Sequence, residues 1–246
     1  MCEFALPLLG PERVRPVRVA STTRRGGVGT GAFATFNLGS RTSDPLATVA
    51  TNRARLRRAL GIESEPVWLH QVHGSRCVEL TGAEAPDRLV ADAAWTRQPG
   101  VVCAVLTADC LPVVLTAADG ACVAVAHAGW RGLAAGVLEA TVAELPAPRA
   151  TLSAWLGPAI GPQAFEVGPD VRQAFGEADR GTFRPGSGDR WYADLYALAR
   201  RRLHTLGVAP VEGGGHCTVN EAERFFSHRR DGANSGRMAT LALIEP

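Results

Sequence analysis

Hydrophobic residues along the chain follow two rhythms. Strict alternation, or short apolar runs bounded by Gly, Pro and Asp, marks strands, whereas apolar side chains recurring every three to four positions mark helices. The apolar run in MCEFALPLLGPERVRP predicts a first strand entering the fold, and residues 14–21 (VRPVRVAS) alternate as a second strand does. Helical spacing predicts a helix over 43–60 (SDPLATVATNRARLRRAL), with Ser43 or Asp44 as cap, Pro45 early in the first turn and Gly61 as the stop. Residues 66–80 (PVWLHQVHGSRCVEL) read as two strands broken at His73-Gly74, and 90–100 (VADAAWTRQPG) fit either a helix or an extended link.

From 101 an apolar hairpin is expected. It runs VVCAVLT, a break at Ala108-Asp109-Cys110, LPVVLT, the turn AADG and ACVAVAHA, with strands buried on both faces, and a helix follows over about 131–145. Beyond it, ATLSAWLGPAIGP predicts a strand, GPDVRQAF a short helix, YADLYALARRRLHTL an amphipathic helix with Leu195, Leu198 and Leu206 towards the core, and RMATLALIE a final strand. The stretch TTRRGGVGTGAFATFNLGSRT (22–42) has the glycines of a long loop and too many arginines for a plain turn. No repeat or Pro/Gly/Ser-rich linker divides the 246 residues, so one domain over 1–246 is expected.

Composition narrows the function classes. A net charge of +2 without runs of like charge gives no reason to expect a nucleic-acid partner. All 26 basic side chains are arginine, which excludes lysine Schiff-base chemistry and a P-loop lysine; any phosphate must be held by Arg or by backbone amides. No apolar stretch nears the length of a membrane span and no secretory signal is visible, so a cytoplasmic protein is expected. Six cysteines without a CxxC pair then read as thiols, not as a disulfide frame. GxSxG, GxGxxG and the HxE/PCxxC pattern of zinc deaminases are all missing.

The chemistry concentrates where apolar strands end. Cys110 sits at the polar break and His127 closes the neighbouring strand, so the returning chain brings both to one rim. A thiolate and a neutral imidazole are zinc ligands, and a third would leave one tetrahedral position open. His70 and His73 lie on opposite faces of a regular strand, and His73 is chosen because the next glycine permits a turn and close backbone approach. Residue type alone supports the plainer reading, a small buried thiol and core histidines. Arg131 in HAGWRG stands at a helix start, where it suits an anion or pairs with an acid such as Glu139; Arg24, Arg25, Arg229, Arg230 and Arg237 carry the same two readings.

TTRRGGVGTGAFATFNLG, WLHQVHG, ADAAWT, LTADCLPVVL, AHAGWRG, WLGPAIGP and FFSHRRDGANSGRMA, in this order, resemble the YfiH-like family, long labelled multicopper polyphenol oxidases or laccase-domain proteins. The resemblance implies a mixed α/β fold, a single-domain layered α-β-β-α sandwich, with one zinc ion held by His73, Cys110 and His127. It further implies phosphorolysis of adenosine, inosine, guanosine and methylthioadenosine, together with adenosine deamination. Zinc suits both, since it lowers the pKa of bound water to about 7 and orients phosphate. On this reading purine nucleosides and phosphate are the partners and the protein is a monomer; Arg131, Arg229 and Arg230 balance phosphate, Asn37 or Gln71 contacts the nucleoside, and Asp109 orients a ligand or moves a proton. Copper oxidation of phenols, with copper binding in vitro, and amide cleavage in a cell-wall precursor are the alternatives. His228 and Asn234 depart from the family's FFSYRRDG and Thr-rich turn. The other thiols are structural, Cys217 beside His216 being the one further candidate metal pair.

Overall fold

The computed structural model describes residues 6–11, 16–84 and 88–246. Two sheets dominate. One runs in the order β1 (Leu8–Leu9), β2 (Val17–Thr22), β14 (Met238–Ile244), β6 (Val102–Thr107), β3 (Val67–Trp68). The other runs β13 (Val211–Gly213), β9 (Leu152–Leu156), β7 (Leu111–Ala117), β8 (Val123–Ala128), β5 (Ala93–Thr96), β4 (Cys77–Glu79). A small third sheet joins β10 (Glu166–Val167), β12 (Trp191–Ala193) and β11 (Phe183–Pro185). The helices are α1 (Leu46–Leu60), α2 (Trp130–Ala134), α3 (Val137–Glu144), α4 (Pro169–Gln173), α5 (Leu195–Thr205) and α6 (His228–Asp231).

Strand periodicity builds the layers. Successive side chains point to opposite faces, so β6 sends Cys103 and Val105 between the two large sheets and Val102 and Ala104 outward. The outward pair packs with Trp68, Leu241 and the α1 residues Leu56 and Leu60. On the other sheet, Val114, Val123 and Val125 face inward, while Leu111, Val113, Leu115, Ala124 and Ala126 face Leu138 and Val142 of α3 and Leu198 and Leu203 of α5. The result is the α-β-β-α layering, with both large sheets covered on both faces. This burial explains why the central strands are almost continuously apolar.

Several sequence expectations need correction. The apolar hairpin is β7 paired with β8; VVCAVLT is not part of it, because β6 pairs with β14 and β3 in the opposite sheet. The break at 108–110 is therefore a crossing from one sheet to the other. The strand pair around His73-Gly74 likewise divides between the sheets, and ADAAWT is β5. The helix expected over 131–145 is two helices, parted at Gly136, whose φ of +85° suits a residue without a Cβ. Helix α1 starts at Leu46 with Pro45 at the cap position, and neither Ser43 nor Asp44 caps it: Asp44 accepts from Asn37 and Ser43 bonds Asn234. Gly61 ends that helix in the left-handed conformation, as expected. Leu195 and Leu198 are buried and Leu206 is partly so. The expected first strand is the short β1, with residues 1–5 and 12–15 outside the described part. No helix is long and apolar enough to cross a membrane among the described residues.

Candidate metal centre

His73, Cys110 and His127 come together at the end of the inter-sheet layer, each offering one donor atom within 4.8 Å of the others. Three chain segments supply them. Cys110 lies where the chain crosses from β6 to β7, His127 is the penultimate residue of β8, and His73 sits in the turn between β3 and β4. Both turns bend sharply. His73 (φ +61°) and Asp109 (φ +88°) are the non-glycine residues in the left-handed region among those described, a conformation that costs of order 1–3 kcal/mol and persists where surrounding contacts enforce it.

Asp92 enforces the first. Its carboxylate accepts the amides of Val72 (3.1 Å), His73 (2.9 Å) and Gly74 (2.8 Å), and Oδ1 also meets Nδ1 of His127 at 2.8 Å. One fully buried side chain thus fixes the His73 turn and turns His127 so that Nε2 faces the centre. Burial works against the Asp92 charge, but hydrogen bonds from His127 and the Gly74 and Val72 amides outweigh it and hold the carboxyl below the ordinary range. At Cys110 burial opposes the thiolate, yet the charge and hydrogen bonding of His127, with those of His73, bring the thiol down from its usual range.

This donor set fits zinc. A tetrahedral zinc with two imidazoles and a thiolate spaces its donors about 3.3–3.6 Å apart, so small side-chain rotations would close such a shell, and three donors would leave a fourth position open. Gly129 allows the approach: a Cβ there would lie 2.7 Å from the Cys110 sulfur, although its φ of −63° suits any residue. Gly129→Ala is therefore expected to leave helix α2 folded and to weaken metal affinity by at least about 10-fold, measured by chelator competition. Unchanged affinity would show that the sulfur does not need this space.

A cavity of about 500 Å³ opens over these three side chains, within the range of small-molecule sites. Gln71 lines it, but its amide extends the β3–β6 ladder, donating to the Leu106 carbonyl and accepting its NH, both at 2.8 Å. Arg131 and Arg229 line it as well. Arg131 lies 4.4 Å over the Trp130 ring, while Glu139 pairs with Arg202 instead. Asp109 borders the cavity with both oxygens engaged, by the Thr218 hydroxyl (2.5 Å) and the Arg229 amide (2.6 Å), which suits a positioning role.

Two expected contacts are not brought to the cavity. Asn37 is fully buried and spends its side chain on Gly39, Thr42, Asp44 and Arg237. Arg230 is tied to Asp231 and to the carbonyls of Thr218, Val219 and Phe225. His70 pairs with Val90 in an isolated bridge. The Cys217 sulfur accepts the Gly161 amide and His216 meets Glu221, and the one three-donor group among the described residues is His73, Cys110 and His127. Arg24 and Arg25 hold the glycine loop through carbonyls and Glu223. Sequence reasoning missed Asp92 and Gly129, although a lone carboxylate inside the apolar stretch ADAAW was a signal for the first.

Comparison with known proteins gives a consistent relationship. A Pseudomonas aeruginosa protein named purine nucleoside phosphorylase is 49% identical over 244 residues, covering 96% of this chain and 98% of the relative. Purine nucleoside phosphorylase YfiH of Escherichia coli is 48% identical over 241 residues, with the same coverage of 96% and 98%. Among solved structures, a Neisseria meningitidis protein superposes with a TM-score of 0.90 at 42% identity, over 98% of this chain and 100% of that one. The Bacillus licheniformis protein YfiH superposes with a TM-score of 0.93 at 26% identity, over 98% of both chains. The family model described as multi-copper polyphenol oxidoreductase laccase matches residues 18–245, and the chain belongs to that family.

Proposed function

We propose that the protein is a zinc-dependent purine nucleoside phosphorylase, converting adenosine, inosine, guanosine and methylthioadenosine to free base and sugar 1-phosphate, and that it also deaminates adenosine. On this reading it acts as a single-domain cytoplasmic monomer. The observation that carries the proposal is one cavity with a His-Cys-His floor, apolar walls and, among the described residues, four lining arginines facing a single lining carboxylate, Asp109, whose oxygens are already engaged. Such a site attracts an anion and shelters an aromatic base. The names of the relatives nearly half identical to this chain support the same reaction class.

His73, Cys110 and Nε2 of His127 would hold the ion. When bound, zinc supplies Lewis-acid polarisation of a phosphate or water oxygen. The chain's own residues do the rest. Arg131 and Arg229 at the mouth draw phosphate towards the floor. Phe165, stacked against the Arg229 guanidinium at 5.3 Å, offers an apolar face to the purine. Asp92 keeps both histidines oriented through the reaction. In phosphorolysis a phosphate oxygen forms the new bond to C1′ as the bond from C1′ to the base nitrogen breaks, the base leaving with that electron pair and taking up the proton that hydrogen phosphate gives up.

The zinc-loaded protein incubated with adenosine should release adenine and ribose 1-phosphate only when phosphate is present, and inosine whether or not it is. Stoichiometric copper with phenol turnover and no nucleoside consumption would overturn the reading. So would cleavage of an amide in a nucleotide-linked cell-wall precursor with nucleosides left intact. Among the described residues a single three-donor group is present, which does not suit an enzyme needing several copper ions.

A further inference from the structure

Three of the arginines lining the cavity, Arg41, Arg131 and Arg229, are exposed at its mouth, whereas Arg237 is drawn further in. Its Nη1 donates to the carbonyls of Ser235 (2.6 Å) and Gly236 (3.0 Å), which fixes the guanidinium without neutralising it. Among the described residues no carboxylate forms an ion pair with Arg237, and no protein acceptor takes Nε or Nη2. Asp109, the acid beside it, is engaged by Thr218 and the Arg229 amide. Burial disfavours the Arg237 charge, and the neighbouring Cys110 and Asp109 act in its favour. A half-buried cation lacking a paired carboxylate is costly unless something else compensates it.

The glycine loop holds this arginine in place. Asn37 Oδ1 accepts the Arg237 amide at 2.8 Å, and the Arg237 carbonyl accepts the Leu38 amide at 3.1 Å. The side-chain stem lies flat on Gly39, where a Cβ would fall 2.7 Å from Arg237 Cγ. The buried amide of Asn37, which has no contact with the cavity, thus serves the site indirectly.

We propose that Arg237 is the phosphate-binding subsite of this cavity, its unpaired guanidinium edge closing on a phosphate oxyanion beside the His-Cys-His group. The planar fork suits two oxygens of one phosphate, and a charge-assisted contact away from bulk water is stronger than a rim contact. Arg41, Arg131 and Arg229 then steer the anion and Arg237 retains it. The proposal rests on the phosphorylase reading for the identity of the anion, which is either inorganic phosphate or the phosphate monoester of a nucleotide.

The test titrates inorganic phosphate, and separately adenosine 5′-monophosphate, into the metal-loaded wild type, Arg237→Gln and Arg237→Lys by calorimetry, with the KM values for phosphate and adenosine measured alongside. Arg237→Gln should weaken phosphate binding by about 10- to 100-fold while the adenosine KM changes less than about threefold. Arg237→Lys, which keeps the charge and guards against a folding defect, should recover part of the loss. Binding of the monophosphate alone, weakened in the same way, upholds the subsite and assigns it to a nucleotide. Unchanged phosphate affinity in Arg237→Gln, or no binding of either anion by wild type, overturns it. Wild type that binds phosphate through Arg237 but leaves adenosine intact would remove the phosphorylase reading and keep the subsite.

Discussion

Cys110→Ala is expected to lower bound metal from about one ion per chain to below about 0.1 and to abolish adenosine consumption, while the protein stays folded. Thiolate is the one anionic donor in the group, so two imidazoles remain to hold a dication in a cavity already lined by arginines. The fold does not depend on the sulfur. The layers on either side are closed by the apolar faces of β6, β7, β8 and β14, and Cys110 occupies a turn at their end. Melting temperatures of variant and wild type should therefore agree within a few degrees without metal and separate on adding zinc. A ligand that binds only the native state at 100 times its Kd adds about 2.7 kcal/mol. Full metal content in the variant would refute the assignment.

Asp92→Ala should be strongly damaging although Asp92 is not one of the three candidate donors. The substitution removes the carboxylate, itself without solvent access, that accepts three backbone amides of the His73 turn and meets Nδ1 of the buried His127. Each buried group left without a partner costs about 1–3 kcal/mol. A loss above about 3 kcal/mol in chemical denaturation is expected even without metal. Asp92→Asn keeps the shape but turns a donor towards groups that are themselves donors. It should weaken metal binding by about 10- to 100-fold, the usual effect of losing the partner that orients a ligating histidine. Variants as stable and as metal-competent as wild type would mean that the His73 turn is held by something other than this carboxylate.

These roles were unequally legible in the sequence. The strands through 101–128 and 237–245 announce themselves because burial on both faces leaves near-continuous Val, Ala and Leu, and a polar residue at the end of such a run stands out, as Cys110 and His127 do. Which sheet a strand joins is a non-local matter. Nothing near VVCAVLT says that it pairs with residues 238–243, so the break at 108–110 gives no local sign that the chain changes sheets there. The arginines were ambiguous for the same reason. Whether a guanidinium is spent or available depends on carbonyls and acids far away in sequence, which tie down Arg230 and, among the described residues, leave Arg237 without an acid in an ion pair. Asn37, expected from the family resemblance to contact the nucleoside, instead has an amide that holds the loop together and grips Arg237.

The most direct test of the central claim is anomalous diffraction from crystals of the metal-replete protein, recorded on both sides of the zinc absorption edge. One peak is predicted, about 2.0–2.4 Å from an imidazole nitrogen of His73, from Nε2 of His127 and from the Cys110 sulfur, with no fourth protein ligand. A peak that persists below the zinc edge, lies elsewhere, or is closed off by another side chain would contradict the account.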